Sequence, residues 1–220
     1  MSFLGFPPTA LTFYDGLAAD NSKAYWTANK ALYETDVRQP MIALLDALDE
    51  YGPFKIFRPY NDVRFAKGRP PYKEQIGAVG ENEGGSVFYV QFSAAGLTVG
   101  TGFHAMASDQ LELFRRAVDD DHRGAEIADI CASLERTGYT IGAIDELKTA
   151  PRGFPRDHPR IALLRRKGLT ALQSWQPEPW LHTKSVVQRI RRSWEGARPL
   201  GAWLETHVGP STLPPPDWGR

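Results

Sequence analysis

Val87-Phe88-Tyr89-Val90-Gln91-Phe92-Ser93-Ala94-Ala95-Gly96-Leu97-Thr98-Val99-Gly100-Thr101-Gly102-Phe103 is the run whose reading decides the fold. Val87 to Phe92 is a short, nearly continuous apolar and aromatic segment, which predicts a strand buried on both faces. Ala94-Ala95-Gly96 turns the chain. Leu97, Val99, Thr101 and Phe103 then alternate with Thr98, Gly100 and Gly102, so the two halves read as a β-hairpin over about 87–104. Gly100 and Gly102 share one face and clear a lane where another backbone, a ring or a ligand can approach.

Outward from the hairpin, Phe54-Lys55-Ile56-Phe57 and Gln75 to Val79 read as further strands. Before them the pattern is helical. Pro8-Thr9 opens a helix carrying Leu11, Phe13, Tyr14 and Leu17, and Asp20-Asn21-Ser22 breaks it and caps a second. Pro40 suits the first turn of a third helix, which Gly52-Pro53 ends. After His104, Ser108 or Asp109 is placed to cap a helix bearing Leu111, Phe114 and Val118, and another runs from about Gly124 to Arg136. Tyr139–Ile141 and Leu169–Trp175 read as strands, Asp157 as the cap of a helix, and Thr183 and Pro199 as openings of helical segments. Helices before and after a largely antiparallel sheet predict a single α+β domain over 1–208, with 209–220 a flexible Pro-rich tail. No strand, Gly-rich turn and helix follow one another as in a doubly wound nucleotide fold.

The 220 residues are enough to bury a proper core, and 26 basic against 26 acidic side chains leave no global field to steer nucleic acid. Any basic site must therefore be local. Cys131, the one cysteine, excludes an internal disulfide and a cysteine-rich zinc site. It falls on the apolar stripe Ile127-x-x-Ile130-Cys131-x-x-Leu134 and reads as a small buried hydrophobe. The chain lacks an apolar run long enough to span a membrane and a secretory leader, so the expectation is a cytoplasmic protein. The histidines lack zinc spacing, and neither a Gly-x-Ser-x-Gly elbow nor a phosphate-loop lysine is present. No metal or cofactor is expected.

The local basic site is Arg58-Pro59-Tyr60-Asn61-Asp62-Val63-Arg64-Phe65-Ala66-Lys67-Gly68-Arg69-Pro70-Pro71-Tyr72-Lys73. Arg58, Arg64, Lys67, Arg69 and Lys73 face a single acid, Asp62. If Val63 and Phe65 point into the core, Asp62 and Arg64 point the other way together. Clustered cations need balancing by distant carboxylates or by a bound anion. Arg64 suits bidentate contact to a phosphate, with Lys67 and Lys73 as point charges and Arg58 flanking. Tyr60 and Tyr72 offer rings for stacking, and the prolines limit the conformations to be frozen on binding.

Two other segments complete the candidate pocket. His104 follows the glycine lane, and Arg152 with His158 lies in the loop Pro151-Arg152-Gly153-Phe154-Pro155-Arg156-Asp157-His158-Pro159. Asp62 and His104 are the acid–base pair the sequence offers, should the protein be an enzyme. Lys184, Arg189, Arg191 and Arg192 make the C-terminal helical region basic on one side, which would serve a nucleic-acid-binding module instead.

Several of these segments together resemble a family known as domain of unknown function 2461. The resemblance rests on Asn21, Trp26 and Tyr33, on Asp62-Val63-Arg64-Phe65-x-Lys67-x-x-x-Pro71-Tyr72-Lys73, on Phe88-Tyr89-Val90 and Gly100-x-Gly102, and on Pro151-Arg152-Gly153-Phe154 with Asp157-His158-Pro159. It extends to about Val208 and departs at Gly68-Arg69-Pro70, where the family has a lysine–threonine lead-in. It implies one intact domain and makes the basic motif part of the shared design, but carries no activity. The sequence reading is thus a domain binding a small, phosphate-bearing anion through Arg58, Arg64, Lys67, Tyr72, Lys73, Arg152 and His158. The alternatives are a nucleic-acid- or protein-binding module, or a purely structural ion-pair network.

Overall fold

A computed structural model describes residues 2–62, 68 and 70–213. The chain is an α+β protein. Its strands form one six-stranded antiparallel sheet in the order β1-β2-β3-β4-β6-β5. These are β1 (Phe54–Ile56), β2 (Gln75–Glu81), β3 (Val87–Ser93), β4 (Gly96–Phe103), β5 (Thr140–Gly142) and β6 (Leu169–Trp175). The hairpin read from the sequence is β3–β4. Its burial is the reverse of expectation. In β3 only Val90 and Phe92 are fully buried, while β4 is buried along almost its whole length.

Residue contacts gather the chain into two compact units. The first comprises residues 1–81, 88–99 and 174–193, and the second 82–87, 100–173 and 194–220. In the first unit, α1 (Pro8–Ala19) buries Ala10, Phe13, Tyr14 and Leu17, and Ser22 caps α2 (Lys23–Leu32) by accepting from the Tyr25 amide at 3.1 Å. The chain does not leave the helix at Pro40. It runs on through a π-helical turn, Tyr33–Arg38, into α3 (Gln39–Asp46). Proline has no N–H to give to the carbonyl four residues back. The ladder widens instead, and the Gln39 amide donates to the Glu34 carbonyl five residues away. Phe6 stacks on Phe92 with ring centres 4.1 Å apart, and Phe13, Trp26 and Tyr33 form a contiguous aromatic set beside them.

The second unit packs α4 (Ser108–Asp119), α5 (Asp121–Arg136) and α8 (Arg198–His207) around Phe103, Phe114, Ile127, Leu164 and Trp203. Cys131 belongs to this core, and burial pushes its thiol up to about 11. Helix α4 starts from Ala107, whose amide donates to the Gln110 side chain at 3.0 Å, not from a Ser108 or Asp109 cap. Asp109 instead accepts from Ser211 and Thr212 beyond α8. Helix α5 begins at Asp121 under the Asp120 cap, earlier than Gly124. The Asp157 corner departs furthest from expectation, because α6 (Ile161–Leu164) is a single turn entered from Arg160 and Asp157 is exposed. Helix α7 (Ser185–Gly196) passes from one unit to the other.

Candidate functional site

The described ends of the basic stretch, residues 58–62 and 70–73, pair beyond the β1–β2 ladder as the base of an arm, and the groups that clasp this base are neutral. Beyond Ile56↔Ala78, the Phe57 amide donates to the Gly77 carbonyl at 2.9 Å. Further out, Lys73 N–H donates to Pro59 C=O at 2.8 Å and Asn61 N–H to Pro71 C=O at 2.9 Å, which brackets a bridge between Tyr60 and Tyr72. In such a bracketed antiparallel pair, the central residues turn their own N–H and C=O outward. Asn21 takes up the outward groups of Tyr72. Its Oδ1 accepts from the Tyr72 amide at 3.0 Å, and its Nδ2 donates to the Tyr72 carbonyl at 3.1 Å. One side-chain amide, at the α1–α2 corner and 51 residues away in sequence, thus stands in for a further strand. Asn61 braces the same base from within, its Nδ2 donating to Pro70 C=O at 2.8 Å and to Tyr72 C=O at 3.3 Å.

A ring stack completes the mount. Tyr72 is 7 % exposed and lies on Trp26, with centroids 4.5 Å apart and planes 7° from parallel. One face of the ring proposed to receive a ligand is therefore occupied by Trp26. Tyr60, 45 % exposed, packs obliquely on both rings. The Lys73 ammonium lies 5.4 Å from the Phe57 ring centre, within cation–π range. Arg58 is exposed and makes no ion pair among the described residues. Asp62 is half-buried and engaged. Arg64 and Lys67, the first anion ligands named from the sequence, lie outside the described residues, as does the expectation for Val63 and Phe65.

The remaining candidates belong to the second unit. His104 is exposed just past the end of β4, and Arg152 is exposed in its loop. The His158 side chain is 9 % exposed. Its Nδ1 accepts from the Arg160 amide at 3.0 Å, and its Nε2 lies 3.2 Å from Asp119 Oδ1. Both ring nitrogens are thus engaged within the fold. Arg160 does similar work. Its guanidinium donates to the carbonyls of Val118 and Asp119 at the C-terminus of α4, and to that of Asp120, which also accepts from the Gly124 amide. The Asp-His-Pro-Arg corner therefore ties its loop to the end of α4. The glycine lane has an occupant too: a Cβ on Gly102 would lie 2.3 Å from the Leu169 carbonyl oxygen, and one on Gly100 2.3 Å from Leu172 Cδ2. Strand β6 fills the space a ligand would need there.

Two of the C-terminal cations are also committed. Arg191 Nε pairs with Glu50 at 2.6 Å and holds that carboxyl below its usual range, while a second nitrogen donates to the Ala47 carbonyl. The Arg189 guanidinium lies 4.2 Å from the Trp180 ring centre and 6.0 Å from that of Trp175. Among the described residues, no three His, Cys, Asp or Glu side chains are placed to hold a metal ion, and no helix is long and apolar enough to cross a membrane.

Nothing local to Asn21, Trp26 and Asn61 marks them as mounting the arm, because their partners are remote or backbone groups. The class is an α+β protein with a side-chain-clasped basic arm extending its sheet. The chain belongs to the family described as conserved hypothetical protein (DUF2461), whose sequence model matches residues 9–203. No curated protein matches the chain. No solved structure matches it either.

Proposed function

We propose that the 58–73 arm is a mounted anion-binding element that takes a small phosphate-bearing ligand. One observation carries this reading: among the described residues, the groups seen to hold the base of the arm are side-chain amides and rings. Asn21, Asn61, Trp26 and Tyr72 fix it without neutralising any charge. The cations Arg58, Arg64, Lys67, Arg69 and Lys73 outnumber Asp62, the lone acid of the stretch. A mounted loop loses less entropy when it closes on a ligand. Arg64 is assigned the bidentate contact, with Arg58, Lys67 and Lys73 supplying further charge. The reading is one of binding, in a cytoplasmic protein, and assigns no catalytic step. Pairing of Arg191 and stacking of Arg189 count against a bare basic face for nucleic acid.

The test is thermal unfolding of wild type and Arg64→Ala against phosphate, sulfate, nucleotides and sugar phosphates. A ligand at about 100 times its Kd stabilises the folded state by about 2.7 kcal/mol. The expected result is a shift in wild type that Arg64→Ala loses while keeping its own unliganded Tm. No shift with any anion, together with a large loss of stability in Arg64→Ala, would return the arm to a structural role.

A further inference from the structure

We infer that the groove between α3 and β1 receives an extended peptide segment, which adds a strand to β1 and places a basic side chain against Asp46 and Asp49. Strand β1 ends the sheet, and among the described residues no strand lies on its outer side. The Phe57 amide bonds to Gly77 and Lys55 is opposite Val79, so by the antiparallel alternation the backbone groups of Ile56, between them, face that outer side. A lone N–H and C=O on a sheet edge are a template for another chain.

The space beside the edge is a groove of about 540 Å³, walled by Ile42 and Leu45 of α3 and by Phe54 and Ile56 of β1. That volume falls in the range of small-molecule sites, on the order of 300–1,000 Å³, and holds apolar side chains comfortably. A groove bounded by an edge strand and a helix suits strand addition, where the main chain gives affinity and alternate side chains enter pockets.

Charge selects the occupant. Asp46 and Asp49 line the groove, both exposed, and neither forms a salt bridge among the described residues. Neighbouring Glu50 has already taken Arg191. Asp46 also ends α3, where the helix dipole presents its negative pole and favours cations. The fitting partner is a peptide in which an apolar residue, seated between Leu45 and Ile56, neighbours a lysine or arginine.

The test passes a pooled library of short, capped peptides, alternating apolar residues with lysine or arginine, over the immobilised full-length protein. Retained peptides are identified by mass spectrometry, and their affinities are measured by fluorescence anisotropy. Asp46→Asn with Asp49→Asn should weaken binding about tenfold, and Asp46→Lys with Asp49→Lys should weaken it further. Amide shifts on binding should centre on Ile56 and its neighbours. Any one of three results would overturn the inference: no peptide retained, equal affinity for the charge-altered variants, or shifts confined to other elements. A dimer of the protein that the peptides cannot displace would also overturn it, by giving the edge to a second copy.

Discussion

Replacing Asn21 by alanine removes two bonds to the backbone of Tyr72, and their unequal consequences set the size of the effect. The Tyr72 carbonyl keeps a donor, since Asn61 Nδ2 reaches it at 3.3 Å. The Tyr72 amide is left without the acceptor 3.0 Å away, on a residue only 7 % exposed. A buried donor stripped of its partner costs about 1–3 kcal/mol, whereas the net loss of a bond whose acceptor keeps another partner is at the low end of about 0.5–1.5 kcal/mol. The third bond, to Glu74 at 3.2 Å, is exposed and adds little. The sum is about 2 kcal/mol. For a chain of this size each kcal/mol moves Tm by about 2–4 °C, so the expected drop is about 4–8 °C. Circular dichroism would read the Tm, and hydrogen exchange the Tyr72 amide. Faster Tyr72 exchange with little change in Tm would place the cost on local opening of the arm. If Asn21→Ala melts within about 1 °C of wild type and Tyr72 exchanges no faster, the reasoning that one side-chain amide replaces a strand there is wrong.

Three further outcomes follow from other parts of the fold. Gly102→Ala should be the more damaging of the two lane substitutions, by about 2–4 kcal/mol, because φ is +122° and the added carbon lies 2.3 Å from a backbone oxygen, while on Gly100 it meets first the movable end of Leu172, the Ala171 carbonyl oxygen being 3.3 Å away. Urea midpoints would compare them, and equal losses would refute the distinction. The Cys131 thiol, raised to about 11 by burial, is protonated at neutral pH, so a thiol reagent should label it at the unfolding-limited rate; labelling of the native protein within seconds would contradict its place in the core. Desolvation works to raise the Asp109 carboxyl, but bonds from Thr212, Ser211 and Gln110 outweigh it and hold the group down at about 2. The folded value is depressed, so the contribution is full above the ordinary 3.8 and is lost as pH falls through about 2. Protection of the Thr212 amide should therefore persist through mild acid and vanish only near that value. Its disappearance already at the ordinary carboxylate value would show that Asp109 does not hold the segment.

What could be read in the sequence was what neighbouring residues decide. The alternation from Leu97 to Phe103 gave strand β4, the apolar run from Val87 gave β3, and Asp20-Asn21-Ser22, just ahead of Tyr25-Trp26, gave a helix start that the structure keeps at Ser22. Features set by remote partners were not legible. Asp157-His158-Pro159 has the composition of a helix cap, yet what fixes its form is Asp119 on another helix, together with the α4 carbonyls that Arg160 reaches. Gly100 and Gly102 correctly announced a close approach, but glycines register only that something comes near. Whether it is a ligand or the backbone of β6 depends on a strand far along the chain. Pro40 suits the first turn of a third helix and does stand in the first turn of α3, but the chain makes one wide turn there instead of a break, with Val37 and Met41 in the core on either side.

The same distinction bears on the arm. Its charges are local in sequence and were visible at once, while its mounting is non-local and was not. A structural ion-pair network would need the two to coincide: the groups that hold the arm would be the acids that neutralise it. The structure separates them at the base. There the holding groups are two asparagines, a tryptophan and a tyrosine, none of them charged, and the only described cation tucked against the chain there, Lys73, lies over the Phe57 ring. Neutral clasps add no charge of their own to the base of the arm. They also fix the backbone of the described base, residues 58–62 and 70–73, and under the proposed reading that order lowers the entropy cost of binding an anion. If the arm takes an anion as proposed, the asparagines and rings at its base act on affinity through that order, and the arginines and lysines act on which ligand is taken.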